Sequence, residues 1–95
     1  TAAVENARSG VRVNAISPGA IRTPAILAWA ESLPGGVPAY EATLLPGRFG
    51  RPEEIAAVAC FLAGADASFV SGQAIAVDGG FTAGRDPHVT ELMGL

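Results

Sequence analysis

At 95 residues the chain has room for one domain at most, and a chain of that size buries only about 60–65% of its unfolded surface. Hydrophobic residues make up 49% and charged residues 16%, a greasy balance for so short a globular chain, so part of the apolar surface is expected to lie against something outside these residues. A net charge of −3 with no lysine excludes the clustered cations that nucleic acid or an anionic membrane surface requires. The single cysteine, Cys60, has no partner for an internal disulfide. It sits in an apolar helical pattern and reads as a buried small hydrophobe in a reducing, cytoplasmic setting. No apolar run approaches the roughly 18 residues of a membrane span, and the first residues lack the charged and apolar regions of a signal peptide. Helix-like sequence follows Thr1 at once, so the chain is expected to open in mid-fold.

Thr1 to Arg8 reads as the last turns of a helix, with Arg8 complementing the dipole and Gly10 as the stop. Val11 to Ile16 follows as a strand, its β-branched residues alternating. Val11, Val13 and Ala15 share one face; Arg12, Asn14 and Ile16 share the other. Asn14 is either a satisfied core amide or a residue that fixes the loop ahead. The strand stops at Ser17-Pro18-Gly19, where Pro18 cannot donate to a ladder and Gly19 opens backbone angles closed to other residues and lets a ligand come close. Thr23-Pro24 then reads as a helix start, Thr23 as N-cap and Pro24 at the first position. A strand, a tight loop and a helix N-terminus make a ligand-facing corner, because ligands of open α/β sheets sit beyond the carboxyl ends of the strands.

Residues 24–46 read as a lid. A helix over Ala25 to Ser32 ends at Leu33-Pro34-Gly35-Gly36, and a second, opened by proline, runs from Pro38 to Leu45. Trp29, Tyr40, Leu44 and Leu45 either line a pocket or pack on the core, with Trp29 and Leu33 the candidates for lining it. Arg48-Phe49-Gly50-Arg51 turns into a helix over Pro52 to Ala63, opened by Pro52, Glu53 and Glu54 and carrying an apolar stripe of Ile55, Val58, Ala59 and Leu62. Asp66 is read as capping one more turn over Ala67 to Phe69. A second strand, Gln73 to Val77, leads into the turn Asp78-Gly79-Gly80. Two strands joined through a helix should be parallel. Parallel sheets are covered on both faces, so further strands from elsewhere are expected. Residues 85–95 read as a tail without a clear period, with His88 solvated.

Three stretches together carry a resemblance. Arg12-Val13-Asn14-Ala15-Ile16-Ser17-Pro18-Gly19-Ala20-Ile21-Arg22-Thr23 is similar to the sixth strand and following loop of the short-chain dehydrogenase/reductase family. Arg48-Phe49-Gly50-Arg51-Pro52-Glu53-Glu54-Ile55 resembles its helix after the substrate loop. Ser68-Phe69-Val70-Ser71-Gly72-Gln73 and Val77-Asp78-Gly79-Gly80-Phe81 resemble its last strand and closing turn. The order is unbroken from about Gly10 to Gly84.

The resemblance implies an α/β fold, the C-terminal part of a doubly wound parallel sheet of the Rossmann-like kind. It implies an oxidoreductase that moves hydride between NAD or NADP and a carbonyl or alcohol substrate. By position, Pro18 and Gly19 would pack at the nicotinamide ring, and the Ile21 backbone would pair with the carboxamide. Thr23 would bond the carboxamide or the diphosphate, or serve as helix cap alone. The family's glycine-rich phosphate loop does not precede Thr1, and its tyrosine and lysine, four apart on a helix, would lie upstream. Tyr40 is followed at that spacing by Leu44, so no catalytic residue and no metal site is expected in these residues. The whole of 1–95 is thus read as one C-terminal piece of a single domain, with a homo-oligomer expected. The tail at 85–95 extends past the usual closing turn, and it is expected to reach a neighbouring subunit. The alternative is a non-catalytic fragment that serves for oligomerisation or docking.

Overall fold

The computed structural model describes residues 1–84; the tail at 85–95, with His88, lies outside the described residues. The chain opens on a short helix α1 (Ala2–Asn6), capped by the Thr1 hydroxyl, which accepts from Val4 N–H. A single 3-10 turn carries it to Gly10, whose φ of 76° supplies the left-handed stop that the sequence suggests. Then come β1 (Ala15–Pro18), α2 (Pro24–Glu31), α3 (Gly36–Ala42), α4 (Pro52–Ala63) and β2 (Ala74–Val77). Among the described residues no helix is long and apolar enough to cross a membrane.

β1 and β2 pair in parallel, Ala15 opposite Ala74 and Pro18 opposite Val77. The intervening α4 packs against β1, so the strand–helix–strand crossover is present. The alternation of the sequence persists through this region. Arg12, Asn14, Ile16, Ile75 and Val77 are half-buried, whereas Val11, Val13, Ala15, Ala74 and Ala76 are exposed. One face of the sheet is therefore covered and the other is open. Only Ala30, Phe49, Leu62 and Ala67 are buried hydrophobic residues among those described.

The strand begins later than β-propensity suggests, at Ala15 rather than Val11. Its opening residues meet the 70–73 segment through one backbone bond, from Gly72 N–H to the Val13 carbonyl at 2.8 Å, and otherwise through side chains. Asn14 Nδ2 donates to the Val70 carbonyl at 2.9 Å, and its Oδ1 accepts from Gln73 N–H at 3.1 Å. Ser71 Oγ accepts from Val13 N–H, and Arg12 Nη1 donates to the Val70 carbonyl. An amide side chain thus stands in for backbone pairing, which is the structural reading of Asn14. At the far end β1 includes Pro18, because the ladder bond there runs from Gly19 N–H to the Val77 carbonyl at 3.1 Å. The missing Pro18 donor falls on the side away from β2.

Three further expectations differ. The second lid helix starts at Gly36, not Pro38, since Gly35 takes φ 84° and turns the chain directly into the helix. Pro38 then sits in the first turn, where its absent N–H has no partner to lose. The turn after α4 covers Ala65–Ala67 with Gly64 as its cap, so Asp66 lies inside it and does not cap it. Cys60 is exposed, on the outer side of α4 rather than on the Ile55–Val58–Leu62 side. By contrast, α4 has the bounds read from the sequence, opened by Pro52 and ended at Gly64.

Replacing Asn14 by alanine leaves the Val70 carbonyl and the Gln73 N–H without these partners, at an expected cost of about 1–3 kcal/mol. The check is urea unfolding of the protein that carries this chain, read as a lower midpoint at unchanged slope.

Candidate functional site

The bend at residues 18–23 is held from two sides by backbone. On one side Gly19 lies against the turn after β2. A methyl group built on Gly19 would stand 2.7 Å from the Asp78 Cα, so this position must be glycine for the close approach of two chains. That corrects part of the sequence reading: Gly19 is not among the positive-φ glycines, so the close approach of Asp78, not an unusual backbone angle, requires glycine here. Asp78 in turn is fixed by its own loop. Its carboxylate accepts from Gly80 N–H, from Thr82 N–H and from the Thr82 hydroxyl at 2.9 Å, and the Thr82 hydroxyl is the main cause holding its pKa below the ordinary value.

On the other side Ile21 and Gly50 form a single parallel bridge. Gly50 N–H donates to the Ala20 carbonyl at 2.9 Å, and Arg22 N–H donates to the Gly50 carbonyl at 2.8 Å. The peptide groups flanking Ile21 are thus committed to Gly50. The N–H and C=O of Ile21 itself alternate to the opposite side and have no partner among the described residues. One free donor and one free acceptor on the same extended residue match a primary amide.

Thr23 then caps α2. Its Oγ1 accepts from Ile26 N–H at 3.3 Å, with extended backbone at φ −127° and Pro24 at the first helical position. The hydroxyl proton is not used in that bond, and Ala25 N–H has no partner among the described residues. The cap is therefore present, and the Thr23 hydroxyl keeps a donor for a second partner.

The lid is fastened by aromatic contacts. Trp29 on α2 meets Tyr40 on α3 edge-on at 5.1 Å, and Tyr40 packs at 5.6 Å on Phe49, which is only 3% exposed. Tyr40 is thus a packing residue between the two lid helices and the Phe49 anchor. Trp29 stays half exposed and Leu33 half-buried.

A cleft of ≈ 120 Å³ lies beside the bend, walled by Ala20, Ile21, Leu44, Pro46, Ile55 and Val77, with Arg48 and Glu54 at its polar end. Of the six residues singled out in the sequence, only Ile21 reaches this cleft; Pro18, Gly19, Thr23, Trp29 and Leu33 lie outside it. What sequence reasoning missed is the turn that builds its wall. Arg48 Nη1 and Nη2 grip the two Glu54 oxygens at 2.7 and 3.1 Å, Nη1 also holds the Phe49 carbonyl at 2.9 Å, and Glu54 Oε1 accepts from Arg51 N–H at 2.9 Å. These contacts, led by the Arg48 hydrogen bond, lower the Glu54 pKa to about 2. The signal was present in the Arg-Phe-Gly-Arg-Pro-Glu-Glu run, which reads as a helix entry until folding brings Gly50 beside Ile21.

A family profile described as enoyl-(acyl carrier protein) reductase matches residues 1–82. Cis-4-hydroxycyclohexanecarboxylate dehydrogenase of Sinomonas cyclohexanicum is 50% identical over 84 residues, covering 87% of this chain and 32% of its own. The 3-oxoacyl-[acyl-carrier-protein] reductase FabG of Thermotoga maritima is 46% identical over 81 residues, covering 84% and 31%. Among solved structures, a 4-hydroxyisoleucine dehydrogenase complexed with NADH superposes with a TM-score of 0.66 at 32% identity, over 88% of this chain and 33% of that one. The chain spans about a third of the length of the proteins it matches.

Two outcomes follow from this geometry. Gly19→Ala forces the Asp78 turn to move, and the expected loss is about 1–3 kcal/mol in chemical unfolding. The Glu54 carboxyl, followed by carbon NMR, should titrate near 2, and in Arg48→Met its midpoint should return toward 4.5. Because the folded pKa is depressed, the stabilisation linked to Glu54 is complete above about 4.5 and is lost as pH falls through about 2.

Proposed function

Because the chain belongs to the short-chain dehydrogenase/reductase family, we propose that it forms the nicotinamide-side edge and the substrate lid of an NAD(P)-dependent oxidoreductase acting on a carbonyl or alcohol. The observation that carries this reading is the uncommitted N–H and C=O of Ile21, held outward by the Gly50 bridge. A carboxamide needs one acceptor and one donor at that spacing, and the residues fit the group. When bound, the nicotinamide supplies or accepts hydride. The protein's part is to hold and orient it. Ile21 takes the carboxamide through its backbone, and Pro18 and Gly19 flank the ring. Thr23 donates its free hydroxyl proton to a carboxamide or diphosphate oxygen at the N-terminus of α2, where the helix dipole favours an anion.

The lid would define the substrate side. Trp29, half exposed, and Leu33, half-buried, would offer the lid's apolar surface, which suits an apolar carbonyl compound and would exclude water from the reacting carbon. Tyr40 has no lysine at the needed spacing and is engaged by Trp29 and Phe49, so the acid–base pair is assigned to polypeptide outside these residues. The same polypeptide would cover the open sheet face of Val11, Val13 and Ala15, together with Phe69, whose side chain meets nothing among the described residues and is fully exposed. A homo-oligomer would use the exposed side of α4 around Phe61 and Cys60.

The test is fluorescence titration of the whole protein with NADH and NADPH. Saturable binding is expected, and none at millimolar cofactor would overturn the reading. Thr23→Val keeps the shape but removes both the donor and the oxygen that caps α2, and it should weaken binding by about 3- to 10-fold. Thr23→Ser keeps both the cap and the donor and should stay within about twofold of the wild type.

A further inference from the structure

We propose that Arg48 and Glu54 are a positioning pair that sets the Ile21 backbone for its amide partner, acting through Phe49 and Gly50. The proposal rests on the cofactor reading above and adds residues that reading leaves without a role.

Arg48 is exposed, at 53%, and Glu54 is half-buried, at 34%. An ordinary surface ion pair of that kind adds little to stability. This one differs in geometry. Two parallel bonds fix both the distance and the plane of the guanidinium against the carboxylate. The same guanidinium nitrogen that bonds Oε1 holds the Phe49 carbonyl, and the same Oε1 holds Arg51 N–H. The peptides on both sides of Gly50 are therefore tied to a single ion pair. Gly50 in turn holds both peptides that flank Ile21, through the Ala20 carbonyl and Arg22 N–H. No other hydrogen bond among the described residues reaches Ala20, Ile21 or the Arg22 backbone. The Gly50 Cα side also faces the Ile21 side chain, with a built methyl group 2.6 Å from Ile21 Cδ1, so the turn and the residue it presents are in direct contact. Phe49 keeps the turn from drifting, as its ring is buried under Tyr40. The pair stays charged at any working pH, because Arg48 itself depresses the Glu54 pKa.

A shift of the 48–51 turn would move the donor and acceptor of Ile21 while leaving the adenosine end of a dinucleotide untouched. That difference separates positioning from general destabilisation. The experiment measures two dissociation constants on the whole protein: for the reduced dinucleotide that the wild type binds, and for the matching ADP-ribose, which lacks the nicotinamide. Arg48→Met should weaken the dinucleotide about tenfold and leave ADP-ribose within about twofold. Arg48→Lys keeps the charge without the fork and should fall between, at about threefold. If Arg48→Met is not folded by circular dichroism, the lysine variant decides by the same ratio. Equal weakening of both ligands, or an unchanged ratio, overturns the positioning role. Failure of the wild type to bind either dinucleotide overturns the cofactor reading and this proposal with it.

Discussion

A side chain as small as one methyl group cannot be placed on Gly19, and the bend that follows β1 depends on that exclusion. With 2.7 Å between the Asp78 Cα and the position of a Cβ, the loop leaving β1 and the turn leaving β2 lie in backbone contact. Each is then stiffened on its own account. The Asp78 carboxylate is saturated by Gly80 and Thr82, and the Ala20–Arg22 backbone is bonded on one edge to Gly50. The result is a short extended segment with one edge used and one edge free. In the proposed function, ligand binding at this corner would use the free edge, and the used one would hold it in place.

Such a division explains why so little of the functional corner consists of charged or nucleophilic side chains. The groups available to a ligand are the Ile21 peptide groups, the Thr23 hydroxyl and the first turn of α2. Backbone groups lose less freedom on binding than long side chains do, provided something else has already ordered them. Here the ordering is done by the Phe49–Gly50 segment and the ion pair beside it. The lid uses the same anchor, since Trp29 meets Tyr40 edge-on and Tyr40 packs on Phe49. A single buried ring therefore links the lid to the turn whose Gly50 holds the bend.

The elements legible in the sequence are those whose signals are local. α4 carries a proline at its start, two acidic residues in its first turn, an apolar stripe and a glycine stop, and its bounds agree with the reading. Thr23 and Pro24 announce α2 equally well, and Gly10 ends the first helix as expected. What sequence could not show depends on distant neighbours. The start of β1 is decided by where Asn14 reaches on the 70–73 segment, not by the β-propensity of Val11 and Val13. Gly19 is glycine because of Asp78, and Gly50 accommodates Ile21; both reasons appear only when the strands are side by side. The exposure of Cys60 follows from which side of α4 meets β1, since Cys60 lies off the Ile55–Val58–Leu62 side.

The small core bears on the site itself. Four buried hydrophobic residues hold the described residues together, and three of them lie close to the corner in function: Phe49 in the turn, Ala30 in the lid helix and Leu62 on the helix that covers β1. The open face of the sheet has no comparable support, although it carries Val11 and Val13 just before β1. Packing on that face would act on β1 through the same backbone that Asn14 fixes from the edge, and would thus add a third restraint on the loop that begins at Pro18. A corner built from free peptide groups is only as exact as the restraints upon its edges. The ladder with β2, the Gly50 bridge and a covered outer face are the three that the geometry of Ile21 calls for.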